Sequence, residues 1–163
     1  MGWQVGIASA LCCISLAARA QTAGEPPAVQ WRIEVVEDGR TIDSFDGTTT
    51  LGQAASATHH HEAVNRVGCK ENPAAQIDLA RTLTVSPVAV EAEGVTLAID
   101  SREIIEDDTA QHTREGCALP PAPRRITAHH PAFIVPDGQW ASWTIVDSHP
   151  TLVYRVRASV VSH

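Results

Sequence analysis

What the chain has little of narrows its function before any motif is read. Methionine occurs once, as Met1, so a thioether copper(I) site has no ligands to draw on. Lys and Arg total 12 against 19 Asp and Glu, a net charge of −7 at neutral pH. Neutralising a phosphate backbone takes a basic surface, so nucleic acid is not an expected partner. No long segment shows the 3.6-residue apolar period of an amphipathic helix. Beyond the N-terminal run, no stretch approaches the roughly 20 apolar residues of a membrane-crossing helix. Catalytic signatures are missing too. Ser56 and Ser142 stand outside any G-x-S-x-G elbow. The acidic run Glu106-Asp107-Asp108 lacks the spaced oxygens and glycine of a calcium loop. No carboxylate pair is singled out for glycoside hydrolysis. The chain is therefore expected to be non-enzymatic.

Residues 1–20 read as a cleaved signal peptide. An apolar run from Val5 to Ala17 leads into Ala18-Arg19-Ala20, an A-x-A pattern that makes Gln21 the first residue of the exported chain. The run is too short to span a bilayer. Cys12 and Cys13 are not preceded by the small residue that lipidation takes. Signal style and an alanine-rich composition point to the bacterial periplasm or the medium as destination. Cys69 and Cys117 then remain, and an even pair in an exported chain reads as one disulfide. It would close a loop of about 50 residues, worth roughly 3–4 kcal/mol in the chain-entropy model.

Residues 21–29 read as a flexible leader and 30–163 as one domain, large enough to bury a core. The apolar period within that domain is 2. Trp31, Ile33 and Val35 alternate with Arg32, Glu34 and Val36. Asp38-Gly39 marks a hairpin into a return strand from Arg40 to Phe45, and Asp46-Gly47 reads as a further turn. A strand is expected from Ala54 to about His60, and a loop from Asn65 to Ala74. Ile77, Leu79, Leu83 and Val85 share a face that only Arg81 interrupts, with Pro87 ending the strand or setting an edge. Val95, Leu97 and Ile99 form the next strand, and Arg102 to Pro123 reads as a long polar connection. Ile126 to Val135 is a strand broken by Pro131. Ala141, Trp143 and Ile145 share a face. Leu152, Tyr154, Val156, Ala158 and Val160 make the strongest strand. The pattern predicts an all-β, single-domain antiparallel β-sandwich of about eight strands.

A G-Q-x-A-S-x-T motif occurs twice, at Gly52–Thr58 and Gly138–Thr144. Each reads as a turn launching a strand and suggests a weak internal repeat. Both adjoin histidines. His59 and His61 fall on one strand face, and His129 or His130 from a neighbouring strand would complete a Zn²⁺ or Cu²⁺ site. Trp140 and Trp143 have opposite strand parity, which gives one to the core and leaves the other as a candidate binding anchor.

Leu83-Thr84-Val85-Ser86-Pro87, then Gly94-Val95-Thr96-Leu97-Ala98-Ile99, then Arg125-Ile126 and Asp137-Gly138-Gln139 resemble the strand run near the end of outer-membrane secretins. The likeness covers about 60 residues and implies a small exported β-domain working at the envelope. It implies no pore: Trp140-Ala141-Ser142-Trp143 replaces the Gly-Gly pair, and the periplasmic domains that precede a secretin pore have no counterpart. The expectation is an exported binding or accessory module with an envelope protein as partner, no nucleic acid, no membrane span after signal cleavage and no cofactor. The competing expectation is a periplasmic Zn or Cu binder built on His59, His61, His129 and His130.

Overall fold

The computed structural model describes residues 26–66, 68, 74–106, 112–119 and 122–161. They form eight strands: β1 (Ala28–Glu37), β2 (Arg40–Thr50), β3 (Ala55–Arg66), β4 (Ala74–Glu91), β5 (Gly94–Glu106), β6 (Pro123–Val135), β7 (Trp140–Val146) and β8 (Leu152–Val160). No helix occurs among the described residues. The strands build two antiparallel four-stranded sheets, β2-β1-β8-β7 and β3-β4-β5-β6, in agreement with the expected β-sandwich. The second sheet is a meander in chain order. The first pairs the two ends of the domain, β1 beside β8. Residues 1–20, expected as a signal peptide, lie outside the described residues.

Period-2 alternation makes the core. Val29, Trp31, Ile33 and Val35 of β1 and Leu152, Tyr154, Val156 and Ala158 of β8 point into the sandwich, against Leu83, Val85, Leu97 and Ile99 of β4 and β5. Fully burying one such aliphatic or aromatic side chain is worth about 1.5–3 kcal/mol. The indole N–H of Trp31 is not left bare in this interior; it donates to Thr49 Oγ1 at 2.9 Å.

Several boundaries differ from the sequence reading, each for a packing reason. β1 begins at Ala28, inside the expected leader, because Val29 is a core residue. Asp46-Gly47 is no turn. β2 runs on to Thr50, and Gly47 is the direct partner of Trp31. An added Cβ there would sit 2.7 Å from Trp31 Cζ2, so the glycine makes room for the indole instead of bending the chain. Pro87 does not end β4. It lies beyond the last β3 pair, Ala55 with Val85, and next to a register shift against β5, where a missing N–H is tolerated. Pro131 likewise sits at a bulge, on the edge strand β6. The largest difference is at Arg102 to Glu106, expected as loop. β5 continues through it, and Glu103 and Ile105 are buried.

The two G-Q motifs occupy equivalent places. The chain changes sheet twice, from β2 to β3 and from β6 to β7, and each change carries one motif. Gln53 N–H donates to the Thr50 carbonyl at 2.9 Å and Gln139 N–H to the Pro136 carbonyl at 3.0 Å. Each four-residue turn thus has its glycine third, with φ of 81° at Gly52 and 65° at Gly138, a conformation glycine adopts without steric cost. Each glycine N–H in turn bonds a strand carbonyl, that of Pro87 or Ala158.

Candidate functional site

Three strands of the second sheet change character at one level. Going from one end to the other, the inward residues run Ala55, Ala57, then His59 and His61 on β3. On β4 they run Val85, Leu83, then Arg81. On β5 they run Leu97, Ile99, then Ser101 and Glu103. His59, Arg81 and Glu103 are direct cross-strand partners, so one register row lines up three ionisable side chains facing the other sheet. That sheet answers with Asp43 of β2 and Tyr154 of β8.

These five side chains form one connected network. Arg81 Nε donates to Glu103 Oε2 at 2.5 Å, and its Nη1 donates to Asp43 Oδ2 at 3.0 Å. The Tyr154 hydroxyl donates to the other Glu103 oxygen. Asp43 Oδ1 lies 2.9 Å from His59 Nδ1 and also accepts from the Ser44 backbone N–H at 2.7 Å. Glu103 is 1% exposed, and the Arg81 side chain is 12% exposed. A charge this deep is sustained only by a partner and by saturated hydrogen bonding.

The electrostatics follow from that geometry. Burial pushes the Asp43 carboxyl up, but hydrogen bonds from His59, Arg81 and the Ser44 N–H outweigh it and hold Asp43 below the usual carboxylate range. Burial pushes Glu103 above its ordinary value, although Arg81 and the Tyr154 hydroxyl pull the other way. Burial opposes the charge on Arg81, yet Glu103 and Asp43 more than compensate and raise its proton affinity. Burial, reinforced by the Glu103 charge, raises Tyr154. An ionised Asp43 can only accept, so His59 Nδ1 carries the proton of this bond. The His59 ring also stacks on Phe45, centroids 4.0 Å apart.

Three of the five, Asp43, His59 and Arg81, line a cleft of about 580 Å³ that also takes in Glu37 at the β1–β2 hairpin and Pro150 in the β7–β8 connection. Asp43, His59, His61 and Arg81 meet Leu79, Ile105 and Pro150 along its walls. Size and mixed lining match a small-ligand pocket.

The expected four-histidine metal site is not assembled. His59 and His61 do share the cleft, but His129 and His130 lie on β6, and β3 and β6 are opposite edges of one sheet. Two strands intervene, so the pairs are about 14 Å apart at the usual strand spacing. Among the described residues no group of three or more His, Cys, Asp or Glu is placed to hold a metal ion. His129 instead pairs with Asp100 at 2.6 Å on the outer face, and His60 with Asp78 at 2.9 Å. His130 packs edge-on against Phe133 and Trp143. The tryptophans divide by parity: Trp143 packs against the core, and Trp140 stays on the outer face under Arg155. Cys69 lies outside the described residues. The residues next to the two cysteines, Gly68 and Ala118, are joined by a 2.7 Å backbone hydrogen bond in an isolated antiparallel bridge.

In the sequence Arg81 shows only as an interruption of an apolar face, and nothing there names Asp43, Glu103 and Tyr154 as its partners. Continuing the parity of Val95, Leu97 and Ile99 would have turned Glu103 inward. No sequence signal reported that Asp43 faces the same level from the opposite sheet.

Comparison of the chain with family models, curated proteins and solved structures finds no match.

Proposed function

We propose that this chain is an exported, non-catalytic β-sandwich module of the bacterial envelope that engages a partner protein through the cleft at its hairpin end. The carrying observation is the cleft itself. It is of ligand size and open, and the Asp43, His59 and Arg81 side chains that line it are held in place by a network whose ionisable groups satisfy one another. Paired, saturated charges suit recognition of a fixed shape. Activation of a nucleophile calls for a poised base beside a hydroxyl or thiol, and the described residues lining the cleft include no Ser, Thr or Cys. The partner is read as inserting a side chain or short segment between His59, His61 and Pro150. Export is supported by the N-terminal pattern, and the envelope by the secretin-like strands, which fall on β4 and β5.

The test is site-specific photocrosslinking in the producing cell, with benzoylphenylalanine at position 61 in the cleft or at position 84 on the outer face. A discrete envelope-protein adduct from position 61 alone is expected. Equal adducts from both positions, or none, overturn the reading. The same preparation tests a Cys69–Cys117 disulfide, which the Gly68–Ala118 bridge supports: alkylation without reductant should leave the intact mass of the exported chain unchanged.

One observation favours a second reading. Asp43 anchors His59 Nδ1 at the edge of a cleft that His59 and His61 both line, the manner in which an outer carboxylate orients a metal-bound imidazole. On this reading the chain captures Zn²⁺ or Cu²⁺ with two protein ligands and a third from outside. Metal titration of stripped protein decides it: affinity unchanged by the double variant His59→Ala, His61→Ala removes this reading.

A further inference from the structure

The outer face of the β2-β1-β8-β7 sheet carries a charge arrangement that folding alone opposes. One row across it reads Asp46, Arg32, Arg157, Trp140, each the direct cross-strand partner of the next. Arg32 and Arg157 therefore stand opposite each other on the two central strands, a relation in which like charges destabilise a sheet. Little on the face relieves them. Glu34, in the next row, bonds Arg155 at 3.2 Å and lies 3.8 Å from Arg32. Asp46 flanks Arg32 on the side away from Arg157. Arg157 is exposed, and its side chain has no hydrogen-bond or ion-pair partner among the described residues.

The surroundings of Arg157 are arranged on both sides. Toward Arg32, a hollow of about 420 Å³ is lined by Gln30, Arg32, Asp46, Arg157 and Ser159. On the other side stands Trp140, 37% exposed, with the Arg155 guanidinium 5.0 Å from its ring centroid. That contact braces the indole and keeps a large aromatic surface next to a free guanidinium.

We propose that this face is a binding site for an acidic saccharide, with a uronic-acid unit as the minimal ligand. The planar fork of Arg157 takes the carboxylate bidentately, and Arg32 supplies the second positive charge. Gln30 and Ser159 offer hydrogen bonds to neighbouring hydroxyls, and Trp140 offers an apolar surface to the C–H face of the pyranose. The spacing suits this division of labour, because adjacent strands lie about 4.8 Å apart, comparable to the width of one sugar ring. An acidic peptide would be served by the guanidinium groups alone, and it is the adjoining Trp140 that favours a sugar. Asp46 repels an anion on the far side of Arg32, which makes Arg157 the principal anchor. The face points away from the cleft, so this proposal stands or falls independently of the partner-binding reading.

The test titrates the ¹⁵N-labelled exported chain with trisaccharides of galacturonate, mannuronate and guluronate, with their methyl esters, and with a pentaglutamate peptide. At least one uronate trimer is expected to shift the Trp140 indole N–H, identified by its loss in Trp140→Ala, and to saturate at or below about 10 mM. Arg157→Gln and Trp140→Ala should each weaken that binding about tenfold or more, with the backbone amide spectrum of the core unchanged. The esters should not bind. No shift from any of the three trimers overturns the proposal. So does pentaglutamate binding as tightly as the best trimer, and so does an affinity that neither variant alters.

Discussion

Along β3, β4, β5 and β8 the same strands line two very different halves of one interior. Toward the G-Q crossovers the sheets meet through Val85, Leu97, Val156 and Ala158, all buried. Toward the cleft, beside buried Val35, Leu152 and Ile105, they also bring together Arg81, Glu103, Tyr154, Asp43 and His59. The backbone pattern hardly changes between the halves, and antiparallel register continues through both. The apolar half holds together through non-directional burial and tolerates any well-packed replacement. The polar half adds a set of directional bonds around Glu103 and Arg81, where losing a partner leaves a buried group unsatisfied. A half built in that way is costly as mere filling, which is why the cleft above it is the functional candidate.

The polar half is most sensitive at Glu103. Replacing it by Ala leaves Arg81 with Asp43 alone and strands the Tyr154 hydroxyl, and should cost about 3–5 kcal/mol. Converting the set together, as Arg81→Met with Glu103→Leu and Tyr154→Phe, should recover at least half of that loss, since an apolar set of similar volume has no charge to desolvate. Urea denaturation of the two variants measures it, and a triple variant no more stable than Glu103→Ala would remove the distinction between the halves. Leu97→Ala in the apolar half should cost about 2–5 kcal/mol by lost burial plus cavity. No second substitution elsewhere in the network should relieve it, as a double-mutant cycle with Asp43→Asn will show.

Acid sharpens the contrast within the network, because its two carboxylates have opposite signs. Asp43 is held low in the fold, so its contribution is present above its unfolded value of about 3.9 and fades as pH falls through the lower folded value. Glu103 is raised in the fold, so its contribution is full below its unfolded value of about 4.3 and fades as pH rises through the higher folded one. Urea midpoints measured against pH should therefore fall less on the acid side in Asp43→Asn than in the native chain, and more in Glu103→Gln. The smallest effect belongs outside the interior altogether. His129→Ala breaks an exposed pair with Asp100 and should change stability by less than about 1 kcal/mol, in the same denaturation assay.

Much of this architecture is legible in the residues. Alternation in β1, β4, β5, β7 and β8 announces strands and names their buried faces, because a pleated strand turns successive side chains to opposite sides whatever surrounds it. Arg81 was visible as the one break in an apolar face. The role of Gly47 was not, because a glycine that makes room for an indole looks in sequence like a glycine that makes a turn. Nor was the extension of β5, since polar residues at inward positions look like loop until the partners that satisfy them are known.

The same division runs through the whole protein. The sequence by itself determined the all-β class, the inward parity of the strands and the two glycine turns, all of which follow from local backbone geometry and side-chain period. Only the tertiary structure decided that those turns are the two sheet crossings. Only it decided that His59 and His61 are separated from His129 and His130 by the width of a sheet, and that Asp43 and Tyr154 close a network around Arg81 and Glu103. Those facts depend on which strands become neighbours, a long-range choice that no local pattern of residues contains.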